Sequence, residues 1–191
     1  ITRLDMGGGL GIPYRRDNNA PPLPIEYGQV IRDAVGDLGC EIEIEPGRNI
    51  AGNAGILLSS VIYLKQGEGR DFLILDAAMN DLIRPALYEA WHDILPVRAG
   101  GEPDAEPIDV VGPVCETGDF LGRDRRLPVA PGELLAVTDG GAYGFVMSSN
   151  YNARPRVCEV MVAGAEARLV RQRETLESLW QGEAAFEDAP R

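Results

Sequence analysis

Two short β-like stretches, one glycine-rich loop and one helical stretch open this chain, and their order is its strongest constraint. Residues 2–6 (TRLDM) read as a short buried strand that runs into Gly7-Gly8-Gly9-Leu10-Gly11. Pro13, Pro21, Pro22 and Pro24 mark an exposed loop. Between residues 25 and 38 the apolar positions Ile25, Val30, Ile31, Ala34, Val35 and Leu38 recur at helical spacing, and Gly39 stands as a stop signal. Residues 41–45 (EIEIE) alternate as a strand and lead straight into Pro46-Gly47-Arg48. Strand, loop, helix and strand make a βα unit of a parallel sheet, because parallel neighbours need a crossover. Two strands can neither close a barrel nor bury both faces of a parallel sheet. Earlier strands of a longer protein are therefore expected, and Ile1 is not an initiator methionine.

After about residue 52 the pattern changes. Residues 55–64 form a long β-like run, Gln66-Gly67-Glu68-Gly69 a turn, and residues 71–77 the second arm of a hairpin. Further β-like runs cover 108–111, 133–137, 156–161 and 167–171, with turn signals such as Pro131-Gly132 and Gly140-Gly141 between them. Residues 98–107 read as a polar loop and 175–180 as a short closing helix. The expected organisation is α/β plus all-β. Residues 1–52 would be an α/β part, 53–181 a mainly antiparallel β domain, and 182–191 a frayed tail.

Composition excludes several classes. Apolar residues make up 45% and charged residues 25% of the 191, the balance of an ordinary globular chain rather than a disordered one. No apolar run is long enough for a membrane helix. A net charge of −12 opposes phosphate backbones and anionic lipid, so neither nucleic acid nor membrane is an expected partner. Cys40, Cys115 and Cys158 are widely spaced without a CxxC pair, which points to a reducing, cytoplasmic home and to no metal site. Lys65 is the only lysine and His92 the only histidine. His92 stands beside Trp91 with no ligand set near it in sequence, and reads as structural.

Five constellations carry candidate chemistry, each with a plain alternative. Gly7 to Gly11 follows a strand and can bring N–H groups to a phosphate, or be only a turn. Glu45-Pro46-Gly47-Arg48 sets a carboxylate at the end of a strand, where it needs a heteroaromatic cation or a structural arginine as partner. Cys115-Glu116 lies in a loop between β-like runs, so Cys115 is a proton donor, a nucleophile or a small buried hydrophobe; Cys40 and Cys158 read as the last. Arg84 precedes Pro85 beyond the hairpin, as a carboxylate clamp or a surface arginine. Asp139 to Gly144 is a turn presenting Tyr143.

Taken in order, LDMGGGLGIPY, EPGRNIAGNAG, DAAMNDLIRPALY, VVGPVCETGDFLGRDRRLP and DGGAYGFVMSSNYNARPR resemble the C-terminal half of the diaminopimelate decarboxylases. These are fold-type III pyridoxal-phosphate enzymes of the alanine racemase and ornithine decarboxylase group. The resemblance runs from Leu4 to about Trp180. It implies the last strands of a pyridoxal-phosphate-binding (β/α)8 barrel followed by a β domain. It implies that Gly8 and Gly9 cup the cofactor phosphate, that Glu45 pairs with the pyridine nitrogen, and that Gly47 and Arg48 add to phosphate and substrate binding. Arg84 and Tyr88 match a substrate-binding arginine and tyrosine, and Tyr143 one that reaches phosphate and substrate. Cys115, as proton donor, and Glu116, holding the distal ammonium, would serve the partner's site in a homodimer. The implied reaction takes meso-2,6-diaminopimelate to L-lysine and CO₂, in lysine biosynthesis.

The family also needs a lysine for the cofactor Schiff base and a histidine stacked on the ring, both from the N-terminal part of the barrel. Lys65, at an expected hairpin tip, does not replace that lysine, so the chain alone is expected to be inactive. Two other readings stand beside this one. One keeps the enzyme class with another amino acid as substrate, and Glu116 discriminates, since the ornithine decarboxylases of the group carry an aspartate in a shorter CDG-type motif at that place. A non-catalytic module that kept the fold would not need Glu45, Arg48, Arg84 and Cys115 together.

Overall fold

The structure is a computed structural model that describes residues 1–17, 20–98 and 105–185. At the N-terminus β1 (Arg3–Asp5) pairs in parallel with β2 (Glu41–Glu43), Leu4 opposite Ile42, and α1 (Pro24–Val35) makes the crossover. Pro24 starts the helix where a missing N–H costs nothing. Glu26 reaches back to accept the Leu23 N–H at 2.7 Å. The helix ends at Val35 with Gly36 as cap, before the expected stop at Gly39, because the Gly36 N–H closes the last turn on the Arg32 carbonyl. Of its apolar face only Ile31 is buried; Ile25 is 77% and Val30 66% exposed. Nor are the strands buried as expected, since both alternate exposed and half-buried residues.

A six-stranded sheet follows, in the order β5-β8-β3-β4-β6-β7. Its strands are β3 (Leu57–Lys65), β4 (Asp71–Leu75), β5 (Ile94–Pro96), β6 (Pro107–Val111), β7 (Phe120–Arg126) and β8 (Leu134–Val137). All neighbours run antiparallel except β4 and β6, which are parallel. Alternation along the strands sends Leu73, Leu75, Val110, Leu121, Leu135 and Val137 into one core with essentially no exposed area. At about 25 cal/mol per Å² of apolar surface removed from water, each such leucine contributes roughly 2 kcal/mol.

Three features were not legible as elements. β5 is three residues ending in proline, β7 carries Arg123, Asp124, Arg125 and Arg126, and α3 (Arg84–Tyr88) is barely more than one turn. Arg125 is tolerated inside because its guanidinium lies over the Trp91 ring and Nη2 donates to the His92 carbonyl; burial pushes its pKa down to about 10. β9 (Glu159–Ala163) and β10 (Glu166–Arg171) form a separate ribbon exposed along almost its whole length. β9 starts three residues later than the run at 156 implies. Arg156 is engaged instead, its backbone and side chain both donating to Glu174. The closing turn is a 3-10 segment, Glu177–Trp180, rather than a longer helix. Cys40 and Cys158 are half-buried rather than buried. Residues 99–104 of the expected polar loop and 186–191 of the expected tail lie outside the described residues. No helix among the described residues is long and apolar enough to cross a membrane.

Candidate active site

The loops that leave β1 and β2 meet the segments flanking β4 and β8. The meeting is close: Gly140 N–H donates to the Gly55 carbonyl at 2.9 Å and Gly141 N–H to Gly52 at 3.1 Å. A Cβ on Gly141 would stand 2.0 Å from the Ala51 carbonyl oxygen, so only glycine permits this seam.

On one side of the seam the glycine loop folds back on the end of the second strand. Gly7 and Gly9 have φ of 70° and 100°. The Glu45 N–H donates to the Gly7 carbonyl at 2.9 Å, and a Cβ on Gly8 would come within 2.4 Å of the Glu45 oxygen. Gly8, Gly9 and Glu45 are therefore brought together. Glu45 is exposed, not at the end of a buried strand, because β2 stops at Glu43. Gly47 and Arg48 open α2 (Gly47–Ala51), and Arg48 Nε is buried with no partner among the described residues.

On the other side Arg84 is buried at 8% exposure, a correction to the surface-arginine alternative. Its nearest groups are aromatic and neutral. Arg84 Cζ lies 4.7 Å from the Tyr14 ring centre and 6.0 Å from that of Tyr143, which also receives Arg48 at 5.7 Å. No carboxylate stands within salt-bridge distance of Arg84 or Arg48 among the described residues. Tyr143, at φ 59°, is held out by the tight turn after β8. Tyr88 ends α3, exposed at 61%.

Cys115 and Glu116 are not part of this cluster. Both are exposed, on the loop between β6 and β7. Glu116 accepts from Tyr151 Oη at 2.9 Å and from the Gly118 N–H, which holds its carboxyl below the usual range. Asp119 fixes the loop to the Arg84 segment. One carboxylate oxygen accepts the Met79 N–H at 2.7 Å and the other the Val114 N–H at 2.8 Å. Burial raises the Asp119 pKa against those bonds. Asn80 Oδ1 accepts from Arg154 at 2.8 Å and the Asn80 carbonyl from the Ser149 N–H, so the segment bearing Tyr151 is tied to the same turn. Sequence reasoning missed Tyr14, Tyr151 and Asp119 as site residues. The only signal was their place inside the five motifs.

Fold and site define a class. The chain belongs to the pyridoxal-dependent decarboxylases, its residues 35–141 matching the C-terminal sheet domain of that family. Within the class it is similar to the diaminopimelate decarboxylase of Vibrio cholerae, 56% identical over 189 residues that cover 97% of this chain and 44% of that protein. Pseudomonas aeruginosa diaminopimelate decarboxylase is 54% identical, with 96% and 44% covered. The crystal structure of the Helicobacter pylori diaminopimelate decarboxylase complexed with L-lysine superposes with a TM-score of 0.85 at 40% identity, covering 94% of this chain and 44% of that one. The chain thus spans less than half the length of the relatives it matches.

Proposed function

We propose that this chain is the C-terminal part of a pyridoxal-phosphate-dependent carboxy-lyase that converts meso-2,6-diaminopimelate and a proton to L-lysine and CO₂. The observation that carries the reading is the pair of guanidiniums, Arg48 and Arg84, gathered round Tyr143 with no carboxylate in salt-bridge distance among the described residues. A guanidinium buried without a counter-charge, as that of Arg84 is, is costly unless an anion arrives, and two guanidiniums beside one tyrosine suit a site that takes a phosphate and a substrate carboxylate.

The residues present fit pyridoxal phosphate. Gly8 and Gly9 form a side-chain-free cradle beside Glu45, and the orphaned Arg48 Nε supplies a donor for an anion. Gly8, Gly9, Gly47 and Arg48 would hold the phosphate, with Tyr143 beside them, and Glu45 would pair with the pyridine nitrogen. When bound, the cofactor supplies an electron sink for the charge left at the α-carbon as CO₂ departs. Arg84 and Tyr88 orient the substrate through its carboxylate. Cys115 returns the proton at that carbon, and Glu116 accepts the distal ammonium. Their exposed loop, away from the arginine cluster, is consistent with service to the partner's site in a homodimer. Glu116 kept anionic by Tyr151 is the right charge for that task.

Residues 1–52 on this reading close a (β/α)8 barrel, residues 53–181 are the β domain, and the enzyme is cytoplasmic. Lys65 is not the cofactor lysine. It ends β3, eight residues beyond Leu57 at the seam, or about 26 Å along an extended strand. The complete enzyme carrying this chain should release equimolar lysine and CO₂ from meso-diaminopimelate with added cofactor, and this chain alone should not. Turnover of ornithine or arginine in preference to diaminopimelate would overturn the substrate assignment.

A further inference from the structure

His92 is buried completely, at 0% exposure, and both ring nitrogens are engaged at 2.8 Å. One faces the Thr138 carbonyl oxygen, the other Arg84 Nη1. A carbonyl only accepts and a guanidinium only donates, so the protons are assigned without ambiguity. Nδ1 carries the hydrogen and donates to Thr138, and Nε2 accepts from Arg84. The ring is held from further sides as well. Tyr14 packs its edge against it at 5.1 Å and 73°, and Arg125 donates to the His92 carbonyl at 2.9 Å.

We propose that His92 is a positioning residue that acts through Arg84: locked as the neutral Nδ1–H form, it aims the guanidinium without taking its charge. A carboxylate in its place would fix the arginine equally well and neutralise it. A neutral imidazole spends one N–H and leaves the full positive charge and the remaining donors for an arriving carboxylate. The inference deepens the proposed function and rests on it for the identity of that carboxylate.

The charged groups facing the ring agree. Arg84 from α3 and Arg125 from β7 oppose a second proton, Asp139 after β8 favours one, and burial is the largest influence, so the histidine titrates below its ordinary value. Protonating Nε2 would set N–H against N–H and release Arg84.

Two variants separate the ring's two contacts. Gln presents an acceptor where Nε2 stands, whereas Asn replaces only the Nδ1 donor. In the complete enzyme, His92→Asn is expected to raise KM for meso-diaminopimelate about tenfold or more, the scale of one hydrogen bond to a charged group. kcat should stay within about threefold, and His92→Gln should restore KM to near the parent value. In an Arg84→Ala background His92→Asn should add nothing, because the two residues act as one unit. ¹⁵N-histidine spectra, with the His92 resonances identified by their loss in His92→Gln, should show a protonated Nδ1 and a bare Nε2 that persist below pH 6.5, the ordinary value. A protonated Nε2, an undiminished effect of His92→Asn in Arg84→Ala, or equal loss in the Asn and Gln variants would each overturn the proposal. Absence of diaminopimelate turnover in the parent enzyme would defeat the substrate reading instead. In that event, or if His92→Asn does not fold, the parent spectrum still decides the tautomer on which the inference stands.

Discussion

The strand–helix–strand unit at the N-terminus and the six-stranded sheet are both built from alternating or periodic apolar residues, yet they end in opposite states. On the inner face of the sheet the apolar positions meet one another, and Leu73, Leu75, Leu121 and Leu135 lose all contact with water. In the first unit Ile25, Val30 and Leu38 stay more than half exposed. Apolar patterning states only that a face is to be buried. Whether the chain itself supplies the covering surface is decided by topology. Here six strands close a core for the second region, and two strands cannot do so for the first.

Paired substitutions sharpen this contrast. Leu73→Ala should cost about 2–5 kcal/mol in denaturant unfolding, the range for a leucine removed from a sealed core. Ile25→Ala on α1 should fall within about 0.5 kcal/mol. Comparable losses at the two sites would break the comparison. A smaller effect tests the same contrast with polar groups. Asp119 and Asp5 both accept backbone N–H bonds, Asp119 from Met79 and Val114 while buried, Asp5 from Gly7 while exposed. Asp119→Ala strands two donors and should cost about 1–3 kcal/mol. Water replaces the lost acceptor in Asp5→Ala, so that variant should unfold with the parent.

The smallest effect belongs to the ribbon. Arg156 holds the Glu174 carboxyl down to about 2 from 4.5, by donating from side chain and backbone. A carboxylate depressed in the folded state contributes stability above its unfolded value and loses it as pH falls through the folded one. Acid titration between pH 4.5 and 2 should therefore loosen the ribbon base, and Glu174→Gln should remove that pH dependence while leaving the sheet's transition in place.

The hairpin of β3 and β4 was legible because two long apolar runs flank a glycine turn, and β6, β8 and β10 because their runs are short and bounded. β7 was hidden by its arginines. Arg125 is stabilised inside by the Trp91 ring, the His92 carbonyl and the charge of Asp93, partners 34, 33 and 32 positions away. The site divides in the same way. Gly8, Gly9 and Glu45 belong to local motifs whose geometry follows from neighbouring residues. Tyr14, Arg84, His92 and Thr138 come from four separate segments, and no local pattern states that they touch. His92 read as structural because its ligand is an arginine eight residues back, reached only after α3 reverses at Glu89, φ 52°.

The order of strands in the sheet also sets a timetable for synthesis. β3 stands in the middle but takes β8 on one side, Leu57 opposite Val137. A ribosome adding roughly 5–20 residues per second needs about 4–16 s to travel that distance. Through that interval β3 lacks its neighbour on the β8 side, while β4 gains β6 on the other, and Arg84 has emerged before Thr138, the anchor of its histidine, has been made. The nascent hairpin is thus the point at which a chaperone or a neighbouring chain meets an open β edge. β8 closes that edge, and Thr138 and Tyr143 follow directly after it to complete the arginine's surroundings.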